Sequence, residues 1–110
     1  MDNLVYLASP YTHPDPAVMQ RRFEEICIVA ARHMRQGVHI FSPIAHTHPI
    51  ALAGDLPRDF VFWEQYARKM LAVCVEMWIC DMDGWRESKG VALEIKIAEK
   101  LGLRISHIGQ

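Results

Sequence analysis

The sequence predicts an α/β protein with one parallel β-sheet of about four strands in the order 2-1-3-4, flanked by helices. Short apolar segments bounded by turn residues alternate with longer segments in which apolar residues recur at every third or fourth position. Strands that alternate with helices form right-handed crossovers and therefore a parallel sheet. Because 110 residues suffice for one core but not for two, we expect a single three-layer domain, flavodoxin-like or Rossmann-like, over residues 1–110.

The first part of the predicted fold contains two strands and one long helix. Leu4–Ala8 is an apolar run that ends at a Ser-Pro turn, which is typical of a buried strand. Asp15 can cap the following helix, and Pro16 suits its first position. Gly37 ends this helix as a left-handed cap, and residues 38–41 form the second strand.

Residues 42–59 are expected to be the least regular part of the chain, because three prolines and one glycine interrupt them. Loops of this length in compact domains are usually functional or mobile. A second helix is predicted from about residue 59 to residue 74. Phe60 and Phe62 extend its apolar surface, so we expect copies of the chain to associate as a dimer or tetramer, with core packing alone as the alternative.

The last part of the chain supplies two strands, at residues 75–80 and 103–108, and a helix between them at residues 88–101. Ligands of such sheets bind beyond the carboxyl ends of the strands, at the switch point between the first and third strands. We expect the functional site there, in a crevice formed by residues 6–11, 42–48 and 81–94.

Glu94 is the residue of this crevice that a purely structural role explains least. At roughly 100° per residue, the helix places it on an apolar arc with Val91, Ile97, Ala98 and Leu101. A charge buried there without a partner is costly, so Glu94 should be paired, protonated or facing a cavity. The alternative is that Glu94 lies at the border of this face and that its tip reaches water.

A pair of carboxylates favours glycosyl transfer. Such a site needs one carboxylate that attacks or stabilises an anomeric carbon and a second group that handles the leaving-group proton. Glu94 suits the first role, and Asp81 suits the second because it stands where the third strand ends. Asp83 is a weaker candidate, since Asp83 followed by Gly84 is also the sequence of a simple turn.

The start of the last helix is a candidate anion site. Ser88 can cap this helix, and Lys89 and Gly90 then leave backbone N–H groups free to meet a phosphate. Capping without phosphate binding is the simpler interpretation.

Composition excludes several classes of function. A net charge of −1 without a clustered basic stripe gives no case for binding nucleic acid or a membrane surface. No apolar run approaches the ~20 residues of a membrane span, and the first residues lack the pattern of a signal peptide. The three cysteines suit neither a disulfide framework nor a metal site, so we expect reduced thiols and a cytoplasmic protein.

No cofactor is expected, because the sequence contains neither a GxGxxG nor a Walker motif. His46 and His48 suggest a metal, but no third ligand is recognisable nearby, so we expect no metal and favour a solvated loop with a capping or substrate-contact role. A metal-dependent hydrolase that uses these two histidines is the remaining alternative.

Two short motifs resemble one known family. Residues 5–11, with the sequence VYLASPY, are similar to the "IYLAGP" opening of the nucleoside 2-deoxyribosyltransferase superfamily. Residues 88–94, with the sequence SKGVALE, resemble its "GxxxELG"-like signature. The order of elements agrees over nearly the whole chain, and the resemblance points to a small bacterial branch of that superfamily.

The resemblance implies a small, usually oligomeric α/β enzyme that cleaves the N-glycosidic bond of 2′-deoxynucleosides or their 5′-monophosphates. Glu94 matches the glutamate that attacks C1′ and forms a glycosyl-enzyme. Tyr6 matches the first-strand tyrosine that orients this carboxylate. Water as the acceptor would make the protein a hydrolase, and a second base would make it a transferase.

The sequence also departs from the family pattern. Ser88 stands where the transferases carry an aspartate, six residues before the nucleophile, whereas the deoxynucleotide hydrolases place a serine there for the 5′-phosphate. The resemblance therefore favours hydrolysis of a nucleotide. The hydrolases' Gly-Ser-Ile-Arg-Gly-Gly phosphate loop, however, is replaced by residues 8–12, and Glu94 is followed by Ile95 where the family has glycine.

The resulting hypothesis is a glycosidase-type site in which Glu94 is the nucleophile, Tyr6 orients it, and Asp81 transfers a proton or positions the ribose. The expected partner is a small-molecule nucleoside or nucleotide. Residues of the surrounding segments are expected to contact it: Ser9, Tyr11, Ser42, His46, Asp83, Ser88 and Gly90. The rival hypothesis is a non-catalytic nucleotide-binding module of the same fold.

Overall fold

The computed structural model describes residues 3–110 and is organised around a parallel sheet of four strands. The strands are β1 (Leu4–Ala8), β2 (His39–Phe41), β3 (Glu76–Cys80) and β4 (Arg104–Ile108). The helices are α1 (Pro16–Arg35), α2 (Pro43–Gly54), α3 (Phe60–Ala72) and α4 (Lys89–Leu101). The strand order is β2-β1-β3-β4 with every neighbouring pair parallel, which confirms the predicted fold class and topology.

The central strand, β1, is buried on both faces because the sheet separates two hydrophobic clusters. Tyr6 and Ala8 face the cluster that contains α3 and α4. Val5 and Leu7 face the cluster that contains α1. Successive side chains of a strand point to opposite faces, so these four residues join the two outer layers through the sheet.

Each helix starts at a polar side chain that accepts a hydrogen bond from a backbone N–H of the first turn. Asp15 and Ser88 cap α1 and α4, as their positions predict. Ser42 and Asp59 cap α2 and α3 in the same way. These caps fix where the chain turns at the ends of the strands, and therefore where the loops meet.

The prediction that residues 42–59 are irregular is wrong for α2, which spans Pro43–Gly54. Pro43 occupies the first turn, where its missing N–H would have no helical partner in any case. Pro49 lies inside the helix, where a proline costs one backbone hydrogen bond. Burial of Thr47, His48 and Ala51 against the rest of the protein offsets that loss.

Among the helices of residues 3–110, none combines the length and the apolar character that crossing a membrane requires.

Candidate active site

A cavity of about 480 Å³ opens beside the carboxyl end of β1 and the start of α4. Its walls come from the β1–α1 loop, the first residues of α2, the segment that leads into α3, and the first turns of α3 and α4. The volume is in the range of small-molecule sites in proteins. The cavity lies at the switch point of the sheet, where we expected the functional site.

Glu94 is a buried carboxylic acid in the wall of this cavity, and only 5% of its surface is exposed. Its predicted neighbours Val91, Ile97 and Ala98 are buried on the same helix, whereas Leu101 at the helix end is half-exposed. Glu94 is the only acidic side chain among the buried residues of the chain from residue 3 to its end. We predicted that Glu94 is paired, protonated or facing a cavity, and the structure shows both a partner, Tyr6, and a cavity.

Tyr6 holds one oxygen of the Glu94 carboxyl group. Its hydroxyl donates a hydrogen bond to Oε2, and the tyrosine itself is completely buried. Burial raises the pKa of Glu94 to about 8, and the hydrogen bond from Tyr6 acts in the opposite direction. Burial and the neighbouring carboxylate raise the pKa of Tyr6 well above its usual value, so Tyr6 remains the donor.

Ser9 brings a second polar group to the cavity. This residue is 4% exposed, and its hydroxyl has no hydrogen-bond partner among residues 3–110. A buried hydroxyl without a partner costs about 1–3 kcal/mol, so a ligand that supplies the partner recovers that energy. Tyr6 lies in β1 and Ser9 directly follows this strand, and both line the cavity.

Tyr11 connects the cavity to a chain of polar side chains on α1 and α2. Its hydroxyl lies 2.5 Å from Nδ1 of His48, whose Nε2 lies 2.8 Å from Oε1 of Gln20. Gln20 in turn donates to Glu24 over 2.9 Å. Phe23 stacks on the imidazole with ring centroids 4.3 Å apart, which fixes the orientation of His48.

The mouth of the cavity combines aromatic rings with positive charge. Phe60, Trp63 and Tyr66 of α3 form one side, and Tyr66 also contacts Nε2 of His46 at 2.9 Å. Basic side chains also line it: Arg58 and Lys89. Rings of this kind can stack on a planar heterocycle, while the cations and the start of α4 favour an anionic group.

Comparison with protein families gives one match, to a family described as a domain of unknown function (DUF1937), over residues 3–110. The chain belongs to the DUF1937 family. A search of curated proteins found no match. The cavity is therefore the feature of this DUF1937 chain that bears on its function.

The cavity of the DUF1937 chain brings together six of the residues that the sequence singled out. Two of them, Glu94 and Tyr6, are in direct contact. The others line the same space: Ser9, Tyr11, Ser88 and Gly90. The Ser88 hydroxyl oxygen accepts from the backbone N–H of Val91, so it acts as a helix cap at the edge of the cavity.

Asp81 and Asp83 lie in a different crevice, of about 280 Å³, formed by residues 81–87. The backbone N–H of Asp81 donates to Ile108, and its carboxylate lies 2.7 Å from Nδ1 of His107. Both partners are on β4, so Asp81 is drawn to the side of β3 that faces away from β1. The structure does not bring these two aspartates to Glu94.

Ser42 and His46 are also outside the cavity lining. Ser42 caps α2, and His46 lies behind Tyr66. His46 and His48 have different tyrosine partners, and no cluster of three His, Cys, Asp or Glu side chains within residues 3–110 could hold a metal ion.

The sequence did not identify the polar chain behind Tyr11 or the role of Arg58. His48 was considered as half of a metal pair or as part of a solvated loop, and no role was predicted for Gln20. These residues meet through contacts of long sequence separation, which hydrophobic periodicity does not encode.

Proposed function

We propose that this protein cleaves the N-glycosidic bond of a 2′-deoxynucleoside or its 5′-monophosphate, with Glu94 as the nucleophile. One observation carries the proposal: a buried carboxyl group, held through one oxygen by Tyr6, in the wall of a cavity of suitable volume. Carboxylates that combine burial with a specific partner are concentrated at functional sites.

The chemistry follows from the two oxygens of Glu94. Tyr6 holds Oε2, so Oε1 is the oxygen available to a ligand. Attack by Oε1 on C1′ forms a glycosyl ester, and the electron pair of the broken bond leaves with the base. Because only the ionised carboxylate attacks, the raised pKa of Glu94 makes base release increase with pH up to about 8.

The rest of the cavity supports a nucleotide-like substrate. Stacking on Phe60, Trp63 or Tyr66 suits the base, and Ser9 offers an unpaired hydroxyl to the sugar. Arg58 and Lys89 would favour a 5′-phosphate over a neutral nucleoside.

The second candidate function is nucleotide binding without catalysis. The position of Asp81 favours it, because no second acidic side chain among residues 3–110 shares the buried part of the cavity with Glu94. A binding module of this kind would retain the aromatic and basic walls and would leave the glycosidic bond intact.

The proposed enzyme acts as a homo-oligomer in the cytoplasm. Val61 is 84% exposed and Phe62 is half-exposed on the first turn of α3, which supports contact between copies. The three free cysteines suit a reducing compartment. Light scattering of the purified protein should give a mass of two or four chains, and a single chain would exclude association through α3.

The experiment that tests the proposal measures free base released from a panel of 2′-deoxynucleosides and their 5′-monophosphates, separated by chromatography. The wild-type protein is compared with Glu94→Gln and with Glu99→Gln, an exposed glutamate of the same helix as a matched control. We expect release by the wild type and Glu99→Gln and at least about a 10²-fold loss in Glu94→Gln.

Release from no member of the panel, with heat-stability shifts that show binding, would select the non-catalytic module. Release that survives in Glu94→Gln would exclude Glu94 as the nucleophile. The preferred member of the panel identifies the base and shows whether a 5′-phosphate is required, and added free base reveals transfer as a new nucleoside.

A further inference from the structure

Hydrolysis through a glycosyl ester of Glu94 needs a group in the cavity that takes a proton from water. Asp81 cannot be that group, because it lies in the crevice beside β4. Two other acidic residues line the cavity, and both are exposed at its rim. Asp59 caps α3 through Oδ1, and Glu87 is solvent-exposed, so neither is placed to act as a base in a closed space.

Tyr11 has a partner that can accept a proton. The hydrogen-bond chain starts at Glu24, whose carboxylate can only accept, so the amide nitrogen of Gln20 faces it and donates. Oε1 of Gln20 then faces His48 and accepts from Nε2–H. In a neutral imidazole the other nitrogen, Nδ1, is therefore an acceptor, and the Tyr11 hydroxyl must donate to it.

The direction of these hydrogen bonds determines whether the Tyr11 hydroxyl can donate to a ligand or only accept from it. Its hydroxyl proton is committed to His48, so the hydroxyl can take part in further bonds only through its oxygen lone pairs. Tyr11 lines the cavity and His48 lies behind it, outside the cavity lining. A water molecule beside Tyr11 would therefore donate a hydrogen bond to it, which is the arrangement that precedes proton transfer.

We propose that Tyr11 is a second catalytic residue in this cavity. Tyr11 takes a proton from the attacking water and passes its own hydroxyl proton to His48, which positions the Tyr11 hydroxyl. The inference rests on the proposed glycosidase function and deepens it, because a built-in base for water makes the protein a hydrolase and not a transferase.

The water oxygen forms a bond to C1′ while the bond from C1′ to Glu94 breaks, and its electron pair returns to the carboxylate. The water proton moves to the Tyr11 oxygen as the Tyr11 proton moves to Nδ1 of His48. The imidazolium then releases a proton to solvent, and the base anion that left earlier takes one from solvent. The sum is nucleoside and water giving sugar and free base.

The groups around His48 keep its Nδ1 unprotonated and able to accept a proton from Tyr11. Tyr11 faces it from the β1–α1 loop, Gln20, Phe23 and Glu24 face it from α1, and the charge of Arg58 acts on it from the segment before α3. Burial lowers the pKa of His48, Arg58 lowers it further, and Glu24 opposes both. His48 is therefore neutral around pH 7, and the hydrolytic step slows as the pH falls and the imidazole is protonated.

The experiment compares wild type, Tyr11→Phe and His48→Gln on the preferred substrate, with His39→Gln as a control for an exposed histidine of β2. Rapid mixing separates the first burst of free base from later turnover. We expect Tyr11→Phe and His48→Gln to release the first base per active site at the wild-type rate and then to turn over about 10²-fold more slowly than the wild type.

Sodium azide then distinguishes lost proton transfer from lost structure. Azide attacks C1′ without giving up a proton, so it should restore turnover in Tyr11→Phe and His48→Gln and produce a glycosyl azide. Mass spectrometry should find the glycosyl ester on Glu94 accumulating in these variants before azide is added. His39→Gln should show neither behaviour.

Other outcomes overturn the inference. Equal slowing of the burst and of turnover without azide rescue would mean that Tyr11 only supports the structure or binds substrate. Unchanged turnover in both variants would exclude the pair. If the wild type releases no base, the proposed glycosidase function is wrong. If the wild type releases base and Tyr11→Phe turns over equally fast, only the role of Tyr11 is wrong.

A measurement that needs no substrate tests the direction of the chain. Nitrogen-15 NMR of the imidazole should show neutral His48 protonated at Nε2 and should show this tautomer weakened in Gln20→Leu, which offers no acceptor to Nε2–H. A proton on Nδ1 of the wild-type protein would overturn the proposed path whatever the activity.

Discussion

The carboxyl group of Glu94 links the stability of the protein to pH. Its pKa is raised from 4.5 to about 8 in the folded state, mainly by burial. The folded state therefore binds this proton more tightly than the unfolded state does. The stabilisation from the bound proton is fully present below about pH 4.5 and is lost as the pH rises towards 8.

Glu94→Gln should remove this dependence, because the amide oxygen can still accept from Tyr6 and carries no charge to bury. In urea unfolding between pH 5 and 9, the wild type should lose stability relative to the variant, by about 1.4 kcal/mol for each pKa unit of the shift. Glu99→Gln is the control and should follow the wild type. Parallel curves for wild type and Glu94→Gln would contradict the assignment.

Tyr6→Phe should raise the pKa of Glu94 further, because the hydrogen bond from Tyr6 is the contact that lowers it. The ionised carboxylate also loses its donor, which should cost about 1–3 kcal/mol at high pH. Carbon-13 NMR of the Glu94 carboxyl carbon measures the pKa directly. Tyr66→Phe, which removes an exposed hydroxyl bonded to His46, should leave it unchanged. A lower pKa in Tyr6→Phe would show that the bond favours the protonated acid.

At the scale of elements, Gly84 in the loop between β3 and α4 and Gly90 in the first turn of α4 have opposite requirements. Gly84 has a φ of +94°, and a Cβ added there would lie 2.4 Å from Nη2 of Arg22. Arg22 donates to the carbonyl oxygens of Tyr11 and Thr12, each at a distance of 3.3 Å. Gly84 thus lets Arg22 tie the β1–α1 loop to the β3–α4 loop.

Gly84→Ala should lower the free energy of unfolding by about 1–2 kcal/mol, the cost of a left-handed conformation for alanine. Gly90→Ala is the matched comparison, since its Cβ would lie 3.4 Å from Cδ1 of Phe60 in ordinary contact and alanine favours the helix by up to about 1 kcal/mol. Chemical unfolding of both variants measures the difference. A Gly90→Ala protein less stable than Gly84→Ala would contradict this account of the loop.

At the scale of the whole molecule, the thiols report how the core opens. Burial raises the pKa of Cys74 and Cys80 to about 11, so at pH 8 only about a thousandth of each is the reactive thiolate. Cys27 is only partly buried. A thiol reagent should label Cys27 first, and Cys74 and Cys80 only as urea unfolds the chain. Labelling of all three at one rate in buffer would show that the core opens freely.

The sheet was predicted well because the sequence patterns that define its strands and helices lie within short stretches of the chain. Strand lengths, helix caps and the burial of Glu94 follow from periodicity within ten or fifteen residues, and the order of elements then determines the topology. α2 was missed because Pro49 weighs against a helix locally, whereas burial of its neighbours on α1 and β1 decides the outcome.

The site was predicted only in part, and the reason is again distance along the chain. The end of a strand can direct a side chain towards either neighbouring strand, so the sequence could not show that Asp81 turns to β4. Tyr11 and His48 are 37 residues apart, and no local pattern joins them. Tyr6 and Glu94 are 88 residues apart and were paired only through the resemblance.

The position of Tyr6 in the middle of β1 has a consequence for how the ligand specificity of such a protein could change in evolution. β1 pairs with both β2 and β3 at Tyr6, through Phe41 and Met77, so the hydroxyl that orients Glu94 is anchored in the sheet. The cavity mouth is built instead from residues 58–66, outside that frame. Substitutions there can change which ligand enters while the carboxyl group stays in place, so new specificities can arise without any change at Tyr6 and Glu94.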